Sequence, residues 1–357
     1  MRAFLALFLV AAATAELAPL LKNSEPIPGK YIIKLKNEFD VDEIAATVSL
    51  TGGRVGNKFR RVLHGFAAEL SDRALEIVRS LAAVEYVEQD GVYRTQVTWG
   101  LDRIDQRDLP LDDSYSPGGT GSGYTVWVID TGVLDTHNNF GGRADQVVNY
   151  ATGSNEDCNG HGTHCAGTVG SNTYGVATGV NIKGVKVLNC LGSGSTSSIV
   201  SGCDYVVDNA SGNKNVASMS LGGSSSTSLD NAVADMVSAG IPTAVAAGND
   251  DANACNYSPA REGTAITVGA TDSDDNRSSF SNYGSCVDIF APGTSITSTW
   301  HTGNYATNTI SGTSMACPHV AGAIALYGGS TSSMLSSASS DRISDAGWGS
   351  PNELLYV

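Results

Sequence analysis

Short apolar runs alternate with helix-like stretches along the second part of the chain, and this alternation constrains the fold more than any other feature. The strand-like runs end in Gly, Asp or Asn and are YTVWVID, NIKGVKVL, VASMSL, IPTAVAAG and AITVGA. The helix-like stretches between them are HGTHCAGTVG, TSSIVSGCDYVVDNA and SLDNAVADMVSAG. Nearly continuous apolar strands that alternate with helices predict a three-layer α/β fold, with a mostly parallel sheet covered by helices on both faces. In such sheets, functional groups gather at the carboxyl ends of the strands.

Residues 16–94 are predicted to form a separate, small α+β unit. KYIIKLK alternates as a strand does, DVDEIAATVSL and SDRALEIVRSLAAV read as amphipathic helices, and EYVEQDGVY reads as a closing strand. This part contains no cysteine, whereas all seven cysteines follow Thr95. The change in composition predicts a domain boundary near Arg94–Thr95.

The first fifteen residues, MRAFLALFLVAAATA, have a positive start, a short apolar core and an Ala13-x-Ala15 ending. This pattern is typical of a secretory signal and is too short for a permanent membrane anchor. We therefore predict that residues 1–15 are a signal peptide and that the protein is secreted and extracellular. Seven cysteines in an exported chain predict disulfide bonds with one thiol left over.

The charge balance argues against a nucleic-acid partner. The chain carries 36 acidic and 21 basic residues, a formal net charge of -15, whereas phosphate binding needs clustered Lys and Arg. No stretch after the N-terminus approaches a membrane span, so we expect no membrane partner either. The excess of acidic residues is compatible with cation binding.

Three segments contain the side-chain types that nucleophilic hydrolysis requires. WVIDTGV places Asp130 at the end of a buried strand, NGHGTHCAG places His161 at the start of a helix, and SGTSMA places Ser314 at the start of another. A hydroxyl attacks, an imidazole takes its proton, and a buried carboxylate fixes the tautomer of the imidazole. Each segment also has a plainer interpretation: a strand-end turn at Asp130, a helix N-cap at Ser314, or a metal site. That metal site would use His161, His164, Cys158 and Cys165.

Taken together, the three segments resemble the subtilisin-like serine proteases, most closely the proteinase K-like group, in which the chain order is also Asp, His, Ser. The resemblance extends over nearly the whole chain. It implies that Asp130 orients the imidazole, that His161 is the general base and acid, and that Ser314 is the nucleophile of an acyl-enzyme mechanism. Asn249, in AVAAGNDD, matches the asparagine whose amide stabilises the oxyanion.

The same resemblance implies a substrate-binding cleft. SLGG and AAG match the two walls of the pocket for the residue that precedes the cut, and LGSGS matches the edge strand that pairs with the substrate backbone. Small side chains there predict a roomy, uncharged pocket with broad specificity for apolar and aromatic residues. The substrate-binding residues implied are Leu191, Gly192, Gly194, Ser220, Leu221, Gly222, Ala246, Ala247 and Gly248. YSPA matches a position where the family has a cis peptide bond before proline.

The resemblance also implies how the chain is organised and what it interacts with. Residues 16–94 match the family's ferredoxin-like inhibitory propeptide, and residues 95–357 match the peptidase domain. The expected partners are protein and peptide substrates and the chain's own propeptide, an intramolecular inhibitor released by self-cleavage near Arg94–Thr95. We expect the protein to be a monomer. A permanent second domain is the plainer interpretation of residues 16–94.

Two disulfides are implied by the aqualysin-like branch of the family, Cys158–Cys190 and Cys255–Cys286. The remaining cysteines, Cys165, Cys203 and Cys317, are expected to be free thiols, or to supply a third bridge.

Calcium is the cofactor that the resemblance implies, with a structural role, and no cofactor is expected for catalysis. Asp288, with backbone carbonyls near Gly263 and Ala265, matches one site, although Gly263 stands where the family has proline. A second set of residues matches a calcium-binding loop of the family, and closely spaced hard oxygen ligands of this kind suit Ca²⁺. Its members are Asp102, Asp105, Gln106, Asp112 and Asp113. A solvated acidic loop is the alternative in both places.

After ALYGG the chain leaves the family pattern, because Gly328-Gly329 leads into a serine-rich stretch in place of a longer helix. We expect a surface connection with a short helix between Ser330 and Ser340. Two rival functions remain: a catalytically silent relative that binds peptides, and a secreted serine esterase. No G-x-S-x-G elbow surrounds Ser314, which argues against the esterase.

Overall fold

The computed structural model describes residues 17–23, 26–91 and 97–357, and the chain divides into two compact units between Thr95 and Gln96. The division coincides with the change in composition near Arg94–Thr95. The predicted signal peptide and the predicted processing site both lie outside the described residues. Within the described part of the chain, no helix combines the length and the apolar character needed to cross a membrane.

The N-terminal unit is a five-stranded sheet with two helices. Its elements are β1 (Leu20–Leu21), β2 (Pro26–Leu35), α1 (Val41–Leu50), β3 (Arg54–Phe59), β4 (Gly65–Glu69), α2 (Asp72–Arg79) and β5 (Val84–Gly91). The strand order is β1-β5-β2-β4-β3, antiparallel except for the β1–β5 pair. Both helices begin at a side-chain cap, Asp40 for α1 and Ser71 for α2, whose oxygens accept first-turn N–H groups. The predicted α+β unit is therefore confirmed.

The C-terminal unit is built around a nine-stranded sheet. Its first half contains α3 (Trp99–Ile104), β6 (Thr125–Asp130), β7 (Ala144–Asn149), α4 (His161–Gly170), β8 (Asn181–Lys186), α5 (Thr196–Asn209), β9 (Asn215–Met219), β10 (Gly223–Ser224) and α6 (Thr227–Ser238). Its second half contains β11 (Thr243–Ala246), β12 (Tyr257–Ser258), β13 (Ile266–Thr271), β14 (Ile289–Pro292), β15 (Ile296–Thr299), β16 (Thr307–Ile310), α7 (Thr313–Leu326), α8 (Thr331–Ser336), β17 (Ser339–Ser340) and β18 (Glu353–Leu354). Two 3₁₀ turns, Asn138–Phe140 and Ala254–Asn256, complete the described elements.

The large sheet has the strand order β17-β18-β14-β13-β11-β9-β6-β8-β7 and is parallel apart from the β17–β18 pair at its edge. Successive side chains of β6 pack alternately into two hydrophobic cores, one on each face of the sheet. Val126 and Val128 pack into the core that contains α4 and α7, whereas Trp127 and Ile129 pack into the core that contains α5 and α6. Because both faces of β6 are covered, its sequence is apolar throughout, and the predicted three-layer architecture is confirmed.

The C-terminal segment completes one edge of this sheet. Helix α7 ends before Gly328 and Gly329, which both adopt positive φ angles, and the predicted short helix follows as α8. Met334 of α8 is fully buried, and Leu354 of β18 pairs with Phe290 of β14. The shortened region is thus packed against the core although it departs from the family pattern.

Candidate active site

Asp130 is the last residue of β6, at the carboxyl edge of the large sheet, and it is fully buried. Its Oδ1 accepts a hydrogen bond of 2.6 Å from the Thr131 N–H, which fixes one side of the carboxylate. The sequence accounts for this position, because the apolar run of β6 is followed by Asp, Thr and Gly, which favour a turn over a continued strand.

His161 is the first residue of α4, and its ring points at Asp130. Nδ1 lies 2.8 Å from Oδ1 and 2.9 Å from Oδ2 of the carboxylate. A carboxylate only accepts hydrogen bonds, so Nδ1 carries the proton and Nε2 keeps a free lone pair. A Cβ at Gly162 would lie 2.2 Å from the Gly132 carbonyl oxygen, so a glycine there lets the first turn of α4 approach the strand end.

The surroundings of His161 set its protonation. Burial alone lowers the pKa of the ring, but the Asp130 charge and the hydrogen bonds from its neighbours raise that pKa well above the ordinary value. The net direction is upward because Asp130 supplies a negative charge in contact with Nδ1. The site is therefore suited to receive a proton on Nε2.

Ser314 lies in the first turn of α7, and the structure excludes the N-cap interpretation because the N-cap residue is Gly312. The first N–H groups of a helix have no intrahelical acceptor, so the Ser314 N–H is available to a ligand. In this structure Ser314 Oγ donates a 3.2 Å hydrogen bond to the Ser220 carbonyl oxygen. Ser314 and His161 line the same cleft.

Pro318 explains how the Ser314 backbone is held. Proline has no N–H, so the carbonyl of Ser314, four residues earlier, has no helical donor. That carbonyl accepts hydrogen bonds from Ser220 Oγ at 2.8 Å and from Cys165 Sγ at 3.3 Å instead. Cys165 Sγ also lies 3.9 Å from His161 Nδ1, so this buried thiol contacts both the histidine and the serine. The opening of α7 is thereby tied to β9 and α4.

Asn249 follows β11 and faces the start of α7. Its Oδ1 accepts hydrogen bonds from the N–H and the Oγ1 of Thr313, at 2.8 and 3.0 Å. Thr313 Oγ1 in turn accepts from the Gly248 N–H at 3.1 Å. Because Oδ1 is occupied by donors, the amide group of Asn249 is the end left to donate, and Asn249 lines the cleft beside Ser314.

The cleft has a volume of about 640 Å³. It is lined by eight of the nine substrate-binding residues that the resemblance implied: Gly192, Gly194, Ser220, Leu221, Gly222, Ala246, Ala247 and Gly248. Leu191, the ninth, is 87% exposed outside this lining. Residues 191–195 pair with no strand of the described chain, and a tight turn closes at Asn189, so the pairing of this segment with a substrate backbone stays a prediction. The Ser258–Pro259 bond beside the cleft is cis, as the resemblance implied.

Several site residues were missed by the sequence analysis. Thr131 and Asp157 hold the histidine loop: Thr131 Oγ1 donates to Asp157 Oδ1 at 2.9 Å and accepts from the Gly162 N–H at 2.9 Å. Asp157 also accepts from the N–H groups of Asn159, Gly160 and Thr163. Asp157 lies four residues before His161, just ahead of the segment NGHGTHCAG, and this proximity is the signal that could have identified it.

Two disulfides are present, Cys158–Cys190 and Cys255–Cys286. The first rules out Cys158 as a metal ligand. The other three cysteines, all within the described residues, are buried free thiols: Cys165, Cys203 and Cys317.

The end of α3 and the loop after it bring four carboxylates together, those of Asp102, Asp105, Asp112 and Asp113. Asp102 is buried, and its two oxygens accept the N–H groups of Asp112 and Asp113 at 3.2 and 2.8 Å. Burial raises the pKa of Asp102 and of Asp105, and the neighbouring carboxylate charges add to the effect in both. Gln106 donates to the carbonyls of Asp108 and Pro110. The loop is therefore a concentration of negative charge that a cation would relieve.

Asp288 lies just before β14. Its Oδ2 accepts the Thr267 N–H at 2.8 Å, and burial, with a smaller contribution from the Glu262 charge, raises the pKa of its carboxyl. The segment from Gly263 to Ala265 precedes β13, which pairs with β14. A Cβ at Gly263 would meet nothing within 4 Å, so glycine is not required there for lack of space.

Comparisons with known proteins agree with this geometry. The subtilase family model matches residues 121–339, and the peptidase inhibitor I9 model matches residues 30–96. An extracellular serine proteinase of Thermus sp. (strain Rt41A) is 47% identical over 97% of this chain and 94% of its own length. Proteinase R of Parengyodontium album is 45% identical over 96% of this chain and 92% of its own length.

A solved structure is also similar, that of a cold adapted subtilisin-like serine proteinase. The two sequences are 51% identical, and the alignment covers 73% of this chain and 98% of the chain in the solved structure, with a TM-score of 0.70. The family model alone covers more than half of the chain. The chain therefore belongs to the subtilase family of serine endopeptidases, with an N-terminal domain of the peptidase inhibitor I9 family.

Proposed function

We propose that the protein is a secreted, self-processing serine endopeptidase that cleaves peptide bonds through an acyl-enzyme. Asp130 orients the imidazole, His161 moves the proton, Ser314 is the nucleophile and Asn249 stabilises the oxyanion. The observation that supports this most directly is the contact of His161 Nδ1 with the buried Asp130 carboxylate, in a cleft that Ser314 and Asn249 also line.

The proposed steps use the groups that line the cleft and the Asp130 contact of His161. Ser314 Oγ turns from the Ser220 carbonyl towards His161, gives its proton to Nε2 and bonds to the substrate carbonyl carbon. The carbonyl electron pair moves to oxygen, where the Asn249 amide and the Ser314 N–H stabilise the charge. The protonated His161 then gives its proton to the leaving nitrogen as the C–N bond breaks. Water repeats the sequence and releases the acyl group from Ser314.

The cleft favours apolar and aromatic side chains before the cut. The pocket walls, including Leu221, Gly222 and Ala246, contain no charge, and a buried apolar side chain gains about 1.5–3 kcal/mol. Asp250, which is exposed, is the carboxylate in the lining, so acidic side chains are disfavoured further. Peptide substrates that differ only at this position test the proposal, and we expect kcat/KM to rank Phe and Leu above Lys, and Lys above Glu.

A fluorophosphonate probe tests the reaction class. Wild-type protein should be modified at Ser314, and Ser314→Ala should remain unmodified and lose about 10⁶-fold in kcat, as nucleophile removal does in this type of triad. Folded protein that binds peptides but resists the probe would be a silent binding relative. Labelled protein that hydrolyses short esters but not casein would be an esterase.

The processing scheme assigns residues 1–15 to a signal peptide, 16–94 to an inhibitory propeptide and 95–357 to the peptidase. It is supported by the I9 match and by the division of the chain between Thr95 and Gln96. N-terminal sequencing of the secreted protein should find a mature start near Thr95. Ser314→Ala should keep the propeptide attached, and cleavage that persists unchanged in this variant would contradict self-processing.

Structural calcium at the acidic loop and at Asp288 completes the proposal. Both places contain carboxylates whose pKa is raised by burial. Hard oxygen ligands at such density fit Ca²⁺. Removing calcium with a chelator should lower the melting temperature, and Asp102→Asn should reduce that response. A melting temperature independent of calcium would remove both sites. A monomeric mass in solution is expected throughout.

A further inference from the structure

Lys186 is a fully buried lysine that the proposed mechanism does not use. It is the last residue of β8, and it pairs in register with Asp130 on the neighbouring strand β6. Its ammonium donates a 2.6 Å hydrogen bond to the Thr131 carbonyl oxygen, and Cys158 Sγ lies 3.7 Å away. Burying an ammonium is costly unless nearby negative charge compensates it, so the presence of this side chain at the strand end requires an explanation.

Thr131 connects Lys186 to the catalytic groups. Its N–H donates to the Asp130 carboxylate, its carbonyl accepts from Lys186, and its hydroxyl donates to Asp157. The same hydroxyl accepts the N–H of Gly162, the residue after His161. All the polar groups of this one residue are thus engaged between the strand end and the start of α4. A shift of its peptide unit would move the carboxylate that contacts the imidazole.

The charges around this residue balance only in part. Asp130 and Asp157 are two buried carboxylates, and Lys186 is a buried cation among them. Burial lowers the pKa of Lys186, while the Asp157 and Asp130 charges oppose that shift and favour the ammonium form. The titratable groups that face His161 and Lys186 from the elements around them are Asp130, Asp157, Cys165 and His164.

We propose that Lys186 is a positioning residue for the reaction, whose buried charge offsets Asp130 and Asp157 and so limits how tightly His161 holds its proton. Without that charge, two carboxylates would act on the imidazolium with no cation beside them. The ring would then stay protonated at a pH where it must accept a proton from Ser314. The inference rests on the proposed function, since it assigns Lys186 to the same proton transfer.

The test compares the pH dependence of kcat/KM for wild-type enzyme, Lys186→Met and Asp157→Asn. Methionine keeps the length of the side chain and removes the charge, so the acid limb should move to higher pH by on the order of one unit. Asp157→Asn removes a negative charge, so its acid limb should move to lower pH. Opposite shifts are the result expected of an electrostatic role, because a merely structural role would lower stability and kcat without moving the limb in opposite directions.

Lys183→Met is the matched control. Lys183 belongs to the same strand but is partly exposed and pairs with Asp145 at 2.6 Å, so its loss changes the net charge equally and should leave the profile unchanged. A Lys186→Met profile that coincides with the wild-type profile would overturn the inference. If this variant does not mature, the role of Lys186 is decided by titrating His161 in the uncleaved chain.

A second readout does not need activity. The His161 ring can be titrated by NMR in the full-length Ser314→Ala chain, with and without Lys186→Met, and the midpoint should be higher without the lysine. An unchanged midpoint would overturn the role of Lys186. A wild-type chain that resists the fluorophosphonate probe and cleaves no peptide would instead overturn the proposed function, so the two failures are distinguishable.

Discussion

His161 Nδ1 donates to both oxygens of Asp130, at 2.8 and 2.9 Å, and the carboxylate side chain is 1% exposed whereas the imidazole is 25% exposed. One end of the histidine is therefore held in the interior of the protein and the other end faces the cleft. This contact fixes the tautomer of the ring, and most consequences for activity can be derived from it.

Replacing Asp130 with asparagine should reduce kcat by about 10⁴-fold, with little change in KM. An asparagine amide can donate to Nδ1, which would place the ring proton on Nε2 and remove the base. Steady-state kinetics on a peptide substrate measure the effect. Asp145→Asn, at an exposed carboxylate on β7, is the control and should keep wild-type kcat. Equal activity of Asp130→Asn and wild type would contradict the assigned role.

The acid limb of kcat/KM should lie above pH 6.5, the ordinary value for histidine, because the Asp130 charge raises the pKa of His161. Activity should be lost as the pH falls through this limb, since a protonated ring cannot accept the Ser314 proton. A pH profile of kcat/KM between pH 5 and 10 measures it. A limb well below pH 6.5 would mean that burial outweighs the carboxylate.

Asn249→Ala should lower kcat by about 10²–10³-fold and change KM little, because the amide acts on the charge that develops in the transition state. Thr313→Val should cost less, about tenfold, since it removes one of the two hydrogen bonds that orient Asn249 Oδ1. Thr313→Ser keeps the hydroxyl and should restore most of the activity. Comparison of kcat and KM for the three variants checks the assignment, and a loss in Thr313→Ser as large as in Thr313→Val would refute it.

The contribution of His164 and His319 to folding stability should fall as the pH drops from about 6.5 to 4. Burial lowers the pKa of His164 and of His319 to about 4, so these two side chains bind more protons in the unfolded chain than in the folded chain in this window. A depressed folded pKa contributes stability above the unfolded value and loses it as the pH falls, by about 3 kcal/mol per histidine at most. Denaturant unfolding at several pH values measures this, and His319→Gln should flatten the dependence. An undiminished dependence in that variant would exclude His319 as its source.

Thiol counting should give no fast-reacting cysteine in the native protein, three after unfolding without reductant, and seven after unfolding with reductant. The reason is that two disulfides hold four cysteines and the other three are buried. Replacing Cys158 and Cys190 together with alanine should cost about 3–4 kcal/mol, since the bond closes a separation of 32 residues. Cys203→Ala controls for the loss of a buried cysteine. Five or more thiols in the unfolded, unreduced chain would show that a disulfide is missing.

Several features could be predicted from the sequence because their causes are local. The alternation of apolar runs with helix-like stretches predicted β6, β8, β9, β11 and β13 with the helices between them. The motifs predicted that Asp130 would end a strand and that His161 and Ser314 would lie at helix starts, and the cysteine positions, through the family resemblance, predicted the two disulfides. The short edge strands β17 and β18 were not predicted, because two-residue strands have no periodicity to read.

Other features could not be read from local sequence. Residues 191–195 pair with no strand of the described chain, and their pairing with a substrate backbone stays a prediction, because pairing depends on which segments lie alongside. A helix cap was the plainer interpretation of Ser314, and the structure places Gly312 at that position instead. The charge of Lys186 interrupts an apolar strand, and only its contact with the Thr131 carbonyl shows what it faces.

The sequence by itself determined the order of strands and helices and the identity of the groups available for chemistry, because side-chain periodicity and turn residues act over a few neighbours. The tertiary structure decided that Asp130 and His161 are in contact and that His161 and Ser314 line one cleft. It also decided which polar groups hold them there: Thr131, Asp157, Lys186, Ser220 and Cys165. These contacts join segments far apart in the chain, and their strength depends on burial and direction, which exist only after the layers pack together.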